Sequence, residues 1–180
     1  MWTLIICSIS FQGLIELYEA IGNYKKVVEA CDTVICLYHA IGNQAHLNDY
    51  RRRLAVAYAA LNEHEKALKC WELFLKDPSL SEPLYLEALC GTVDAKTAIM
   101  ENFVQKIYDT HVTEGNDLAR RNAENEWLSN GEYIKMEEML SEILKRKPCS
   151  EKYEALLLQL LIWRMRTCSS SKGSGQKFMY

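Results

Sequence analysis

The chain has 180 residues, of which 49% are apolar, and its formal net charge is −3 at neutral pH. A chain of this size and composition can bury a core without disulfides or metal ions, and its acidic balance argues against binding to a nucleic-acid backbone, which requires a strong basic excess. Only three prolines and eight glycines interrupt it, and this scarcity of breakers favours helices over strands.

The first half of the chain is predicted to form two pairs of helices. Apolar residues recur at helical spacing in four segments, near 8–21, 24–41, 45–61 and 64–76. Gly22 and Gly42 are each followed by asparagine, and glycine supplies the positive-φ residue at which helices commonly end. The apolar N-terminal segment MWTLIICSISF has no basic residues before it and no small-residue cleavage site after it, so we interpret it as the start of a packed helix rather than a secretory signal.

The second half is also predicted to be helical, followed by a tail. Its periodic segments lie near 82–92, 95–111, 117–129, 132–146 and 151–167. Ser81 and Ser150 each precede a helix as an expected N-cap, with Pro83 in the first turn of one of them. Residues 169–180 are rich in serine and glycine and lack an apolar pattern, so we expect a helical repeat domain over 1–168 and a flexible tail over 169–180.

The cysteines and the apolar runs bear on the compartment. Seven cysteines are an odd number, and none of them forms a CxxC pair or a zinc-type spacing, which indicates a reducing compartment, the cytoplasm or the nucleus. Cys31 and Cys70 fall among apolar positions, where a free cysteine acts as a small hydrophobe. No apolar run reaches the roughly 18 residues that a membrane span needs, so we expect no membrane span.

The sequence repeats itself after 40 residues. The shift aligns Leu14 with Leu54, Tyr18 with Tyr58, Ala20 with Ala60, Ile21 with Leu61, Val27 with Ala67, Val28 with Leu68 and Val34 with Phe74. A third copy has Trp127, Gly131, Tyr133, Met136, Leu140 and Ile143 in the places of Tyr58, Asn62, His64, Ala67, Trp71 and Phe74. Repetition at such a period indicates that each copy is one helix–turn–helix unit that packs on its neighbours.

These copies resemble the tetratricopeptide repeat. The segments LAVAYAALNEHEKALKCWELFLKDP at 54–78 and NAENEWLSNGEYIKMEEMLSEILKRKP at 122–148 have its aromatic residue, its turn and its terminal proline, and the first two copies are similar to the longer, 40-residue type. The resemblance implies an all-α solenoid of about four antiparallel helix hairpins with a C-terminal capping helix. It also implies that Tyr58, Trp71 and Phe74 fill the space between hairpins.

In a solenoid of this kind the first helices line a concave groove that binds peptides or partner helices. Two arginine clusters open such helices: Arg51, Arg52 and Arg53 in one, and Arg120 and Arg121 in another. Their guanidinium groups could pair with the carboxylates of an acidic segment in a protein partner. Alternatively, both clusters belong to a solvated helix face whose charge is offset by Asp49 and Glu124.

The last predicted helix is apolar on nearly every face. It contains ALLLQLLIW at 155–163, and we take Leu158, Leu161 and Trp163 as candidate protein-binding residues. This helix is either sandwiched inside the domain or in contact with another molecule, and the apolar N-terminal segment poses the same question. Two possibilities therefore stay open: the chain self-associates, or it extends a longer solenoid.

The residues do not assemble a catalytic or metal site. The four histidines, His39, His46, His64 and His111, are scattered over different segments, and no glycine-rich phosphate loop lies between a strand and a helix. We therefore predict a non-catalytic scaffold for protein binding that uses no cofactor or metal. The alternative is an accessory or regulatory segment of a larger protein or complex whose activity lies elsewhere.

Overall fold

The computed structural model of the chain describes residues 2–40, 47–111, 131–147 and 150–173. These residues form helices and turns, with no strand among them. The helices are α1 (Trp2–Ala20), α2 (Tyr24–Ala40), α3 (Leu47–Ala60), α4 (His64–Phe74), α5 (Glu82–His111), α6 (Glu132–Arg146) and α7 (Glu151–Gly173). The chain divides into two compact units, Met1–Ile99 and Met100–Tyr180.

The predicted all-α class is confirmed, but some of the predicted boundaries differ. The helices expected at 82–92 and 95–111 are one continuous helix, α5. The helix α1 begins at Trp2, earlier than the predicted start near residue 8. The helix α7 continues through residues 169–173, which the sequence predicts to be part of the tail. The predicted helix at 117–129 lies outside the described residues.

Continuity of α5 depends on packing that overrides local propensity. Gly91 and Thr92 are poor helix formers in the middle of the helix. Thr92 is buried, and its hydroxyl donates a hydrogen bond of 2.8 Å to the carbonyl of Ala88, one turn earlier. Gly91 lies directly against the indole of Trp71, so its missing side chain makes room for an aromatic ring.

The turns that join the helices of the first two pairs have the same hydrogen bonds. The bonds of the first turn are Asn23 to Tyr18 (2.9 Å) and Gly22 to Glu19 (3.0 Å), and those of the second are Glu63 to Tyr58 (2.9 Å) and Asn62 to Ala59 (3.0 Å), each from a backbone N–H to a backbone carbonyl. This pattern is the Schellman motif, which requires a left-handed residue after the helix. That residue is Gly22 (φ 69°) in the first turn and Asn62 (φ 60°) in the second, and Gly131 (φ 72°) precedes α6 at the corresponding place.

In the first unit, α2 packs against both α1 and α3. Val27, Cys31 and Val34 of α2 are buried in one cluster with Ile15 of α1 and with three α3 residues, Tyr50, Leu54 and Ala57. The Tyr38 ring of α2 also packs on the Tyr50 ring of α3, with centroids 5.8 Å apart. One helix of the first pair therefore contributes to a core shared with the next pair.

The same arrangement recurs one pair later. Trp71 and Phe74 of α4 form a buried cluster with Ala55 of α3 and Ala88 of α5. Their rings meet edge to face with centroids 6.1 Å apart, which is a favourable geometry for aromatic pairs. Trp71 and Phe74 therefore lie between α3, α4 and α5, and Tyr58 is partly buried against the cluster of α1, α2 and α3 residues. That these three residues fill the space between stacked hairpins stays a prediction.

Three repeat positions on the second helix of each copy are buried, whereas the aligned Leu14 and Ile21 of the first copy are exposed. Three residues at spacing i, i+4, i+7 are inaccessible on each of three helices: Val27, Cys31 and Val34 on α2, Ala67, Trp71 and Phe74 on α4, and Met136, Leu140 and Ile143 on α6. Because this spacing lies along one side of a helix, each helix buries the same face.

Gly91 and Gly13 provide a matched pair of substitutions. A Cβ on Gly91 would overlap the buried Trp71 indole, whereas a Cβ on Gly13 would meet nothing within 4 Å. We expect Gly91→Ala to destabilise the first unit by up to about 2 kcal/mol, because overpacking costs roughly 1–3 kcal/mol and better helix propensity offsets about 1. Gly13→Ala should stabilise it by up to about 1 kcal/mol. Urea unfolding of both variants measures these opposite signs, and equal signs would contradict the packing of Trp71 on Gly91.

Candidate protein-binding surfaces

Arg53 connects α3 to α1. Its guanidinium donates to Glu19 at 2.6 Å and to Glu16 at 3.4 Å, both on α1, and to Asp49 at 3.2 Å on its own helix. The side chain is mostly buried while its partners are partly exposed. Arg53 is therefore already neutralised by carboxylates of the same chain.

Arg52 and Arg51 also have partners within the chain. Arg52 donates to Glu87 of α5 at 3.0 Å, which links α3 to its other neighbour. Arg51 donates to Asn48 at 3.1 Å, and Asn48 in turn donates to Asp77 after α4. An acidic partner segment would have to compete with Glu87 for Arg52, whereas Arg51 is bonded to a neutral amide.

The structure brings Arg51, Arg52 and Arg53 together on one turn of α3, as the sequence predicts. Arg120 and Arg121 lie outside the described residues. The pairs of Arg52 and Arg53 link α3 to Glu87 of α5 and to Glu16 and Glu19 of α1. Because the carboxylates are partly exposed, each pair adds only about 0–1 kcal/mol to stability. Whether any of these arginines binds a partner stays a prediction.

The helix α7 has one buried face. Tyr153, Leu156 and Leu160 are inaccessible on this face, and α7 packs against α6, whose own buried residues include Leu140. Arg164 of α7 pairs with Glu137 of α6 at 3.1 Å. One side of the apolar sequence 155–163 is thus accounted for by packing inside the second unit.

The opposite face of α7 is apolar and exposed. Leu158 is 61% exposed and Ile162 is 43% exposed, and Met165 continues the row at spacing i, i+4, i+7. Of the other two candidates, Leu161 is half-buried beside this row, and the side chain of Trp163 lies outside the described residues. We call Leu158, Ile162 and Met165 the α7 ridge.

A second exposed apolar row lies at the end of α1 and includes Ile21, the residue directly after the helix, whose N–H donates to the Leu17 carbonyl at 3.1 Å. Leu14 is 38% exposed, Leu17 is 55% exposed and Ile21 is 63% exposed, and they share one side of the helix at spacing i, i+3, i+7. None of the three is among the candidates from the sequence. The 40-residue shift, which aligns Leu14 with Leu54, identifies Leu14 as an apolar repeat position. It does not show whether a neighbouring helix covers that position.

The thiols of Cys31 and Cys70 are unsuited to nucleophilic catalysis. Burial raises the pKa of Cys31 to about 12, and burial also raises the pKa of Cys70. A thiol with a raised pKa stays protonated near neutral pH, and the thiolate is the reactive form. Cys31 therefore has a packing role among the apolar residues around it.

These buried groups predict loss of stability in alkali. Burial raises the pKa of the Cys31 thiol from 9.0 to about 12 and that of the Tyr50 hydroxyl from 10.0 to about 12. Because folding favours the protonated forms, their contribution to stability is complete below pH 9.0 and is lost as the pH rises towards about 12. The urea midpoint should fall over this range, and less so in Cys31→Ala than in a Cys36→Ala control, since Cys36 is exposed. A midpoint independent of pH would contradict this burial.

No protein-family model matches the chain, and no curated protein matches it significantly. Over the described ranges, no helix has both the length and the apolarity of a membrane-spanning segment. The same ranges contain no group of three or more His, Cys, Asp or Glu side chains arranged to hold a metal ion. The tetratricopeptide resemblance therefore stays a prediction.

Proposed function

We propose that the chain is a non-catalytic scaffold that binds other proteins through apolar helix faces, and that its hairpins stack as a tetratricopeptide-type solenoid. Three features support the solenoid: the matching Schellman turns after α1 and α3, the matching buried faces of α2, α4 and α6, and the position of α2 and α4 between successive helices. A rigid stack of this kind offers preformed surfaces, so little conformational entropy is lost on binding.

The α7 ridge is the observation that carries the proposed function. Its side chains follow one side of the helix over about 10 Å, at a rise of about 1.5 Å per residue. A helix face that met only water would present polar side chains there. Contiguous exposed apolar surface instead marks sites of protein interaction.

The surroundings of the ridge indicate the chemistry of the partner. Glu151 and Glu154 are exposed in the first turn of α7, on the side of the helix that leads into the ridge. A partner helix with an apolar stripe and a lysine or arginine near the end that meets this turn would match both features. The arginines of α3 support the function less, because Arg52 and Arg53 are bonded to carboxylates of the same chain.

A reducing compartment, the cytoplasm or the nucleus, fits the proposed function. The cysteines whose side chains the structure describes, Cys31, Cys36, Cys70 and Cys90, are all free thiols. Free thiols are the usual state of cysteines inside cells, whereas secreted proteins generally form disulfides.

A capture experiment tests this function. The immobilised full chain is exposed to cell lysate beside the double variant Leu158→Gln, Ile162→Gln, and retained proteins are quantified by mass spectrometry. Proteins that bind the ridge should be depleted about tenfold or more on the double variant, since each buried leucine or isoleucine side chain contributes roughly 1.5–3 kcal/mol.

The matched control is Lys152→Gln with Gln159→Ala, which changes two exposed polar residues of the same helix and leaves the ridge and both first-turn glutamates in place. The control should retain the same proteins as the unmodified chain. Circular dichroism verifies that both double variants are as helical as the parent. Identical sets of retained proteins for all three chains would contradict the proposed function.

A further inference from the structure

Between Ser10 and Ile21, the outer side of α1 is exposed and uncharged. Six exposed residues lie within about one third of the helix circumference: Ser10, Gly13, Leu14, Leu17, Ala20 and Ile21. By contrast, the exposed residues of α4 include several charged side chains, such as Glu65, Lys66 and Lys69. An uncharged face of this kind is unusual for a helix that meets only water.

The internal repeat shows what covers the equivalent face elsewhere in the chain. The 40-residue shift places Leu54 and Ala57 of α3 at the positions of Leu14 and Leu17. Leu54 is only 5% exposed and Ala57 only 1% exposed. Both belong to the cluster that includes Val27, Cys31 and Val34 of α2, and α2 packs on α3. The second helix of the preceding pair therefore covers this face of α3.

We infer that Leu14, Leu17 and Ile21 form a docking site for an amphipathic helix of another protein, which lies on α1 as α2 lies on α3. The inference rests on the proposed scaffold function, and it adds a second surface in the other compact unit. The other side of α1 is already occupied, because Ile15 is buried against α2. A docked helix would thus place α1 between two helices, as α3 lies between α2 and α4.

Two differences between α1 and α3 define the chemistry of the docking helix. Gly13 has the position of Arg53, whose carboxylate partners Glu16 and Glu19 lie on α1 and not on α2. Because α1 offers no cation here, the contact face of the partner needs no carboxylate. Open space surrounds Gly13, which allows a helix backbone to approach closely. Leu17 is larger than its counterpart Ala57, so the partner needs a small residue opposite Leu17. The site therefore fits a helix whose contact face is apolar and uncharged with a small residue near its centre.

A peptide with the sequence of α2 is a probe of this site. The peptide covers residues 24–40, carries a fluorophore and is held helical by a hydrocarbon staple between positions 25 and 29, both exposed in α2. Fluorescence anisotropy under reducing conditions measures its binding to the full chain. We expect saturable binding that Leu17→Glu weakens by about tenfold or more. The substitution removes an apolar side chain that the bound peptide would cover, and it places a charge in the contact instead.

A glutamate elsewhere on α1 is the matched control. Gln12 is exposed and lies on another side of the helix, so Gln12→Glu should bind the peptide like the parent chain. Both single variants should keep the helical content of the parent, since both positions are exposed. Equal binding by Leu17→Glu and the parent, or no saturable binding of the peptide to the parent, would overturn the inference.

Two further measurements separate this site from the other surfaces. The α7 double variant should still bind the peptide; loss of binding there would overturn the α1 assignment and leave the scaffold function standing. Sedimentation equilibrium should show that the chain alone is monomeric, and a dimer that Leu17→Glu dissociates would assign the site to a second copy and overturn the inference. If the α7 double variant retains every lysate protein and still binds the peptide, binding through the α7 ridge is contradicted, whereas the α1 site is supported.

Discussion

Replacing Phe74 with alanine is expected to destabilise the first unit by about 3–5 kcal/mol, the usual cost of truncating a buried phenylalanine. Phe74 is inaccessible, and its ring lies among Ala55 of α3, Trp71 of α4 and Ala88 of α5. Two of these neighbours are alanines, which are too short to fill the cavity. The substitution would therefore loosen the contact of α4 with both of its neighbouring helices.

The matched control for Phe74→Ala is Leu73→Ala, one residue earlier on the same helix. Leu73 is exposed, so its truncation should change the free energy of unfolding by no more than about 0.5 kcal/mol. When urea unfolding is monitored by the alkylation of Cys31, it reports on the first unit specifically, because this thiol is buried there. Similar losses for the two variants would contradict the position of Phe74 between the helices.

The copies preserve this packing while they exchange large and small residues. In the second pair, the bulky Trp71 and Phe74 of α4 face Ala55, Ala88 and Gly91. In the first pair, the smaller Val27 and Cys31 of α2 face larger residues, such as Ile15, Tyr50 and Leu54. Because the total volume at a tightly packed contact must be conserved, a change of size on one helix is compensated on its neighbours. This exchange explains how copies with few identical residues have the same turns and the same buried faces.

The features that were predictable from the sequence are those set by local spacing. The turns at Gly22 and Asn62 and the buried face of each second helix follow from periodicity and from the 40-residue shift. Continuity through Gly91 and Thr92 was not predictable, since both residues lower helix propensity and only the contact with Trp71 explains the glycine.

The binding surfaces were only partly predictable. The apolar composition of 155–163 identified Leu158 but not which face of α7 is buried, because packing on α6 decides this. The arginines were visible in the sequence, but the partners of Arg53 and Arg52 are 34 and 35 residues distant along the chain. Such pairings arise from tertiary packing, which the local pattern of charges does not predict.

The exposed face of α1 was not predictable from the sequence for a related reason. Leu14 and Leu54 occupy equivalent positions in the repeat, and both continue an apolar periodic pattern. Periodicity identifies the apolar side of a helix, but the neighbouring helix determines whether that side is covered. For Leu54 this neighbour is α2, and no helix in the described part of the chain does the same for Leu14.

The most direct test of this account compares Leu54→Ala with Leu14→Ala, the same substitution at equivalent places in two copies. Leu54→Ala should destabilise the first unit by about 2–5 kcal/mol, because it leaves a cavity between α2 and α3. Leu14→Ala should cost no more than about 1 kcal/mol, because the side chain already contacts solvent. Urea unfolding, again followed through Cys31, measures both values. A loss of stability that is much larger for Leu54→Ala than for Leu14→Ala supports a covered face on α3 and an open docking face on α1. Equal losses of stability would show that the face of α1 is covered in the free chain.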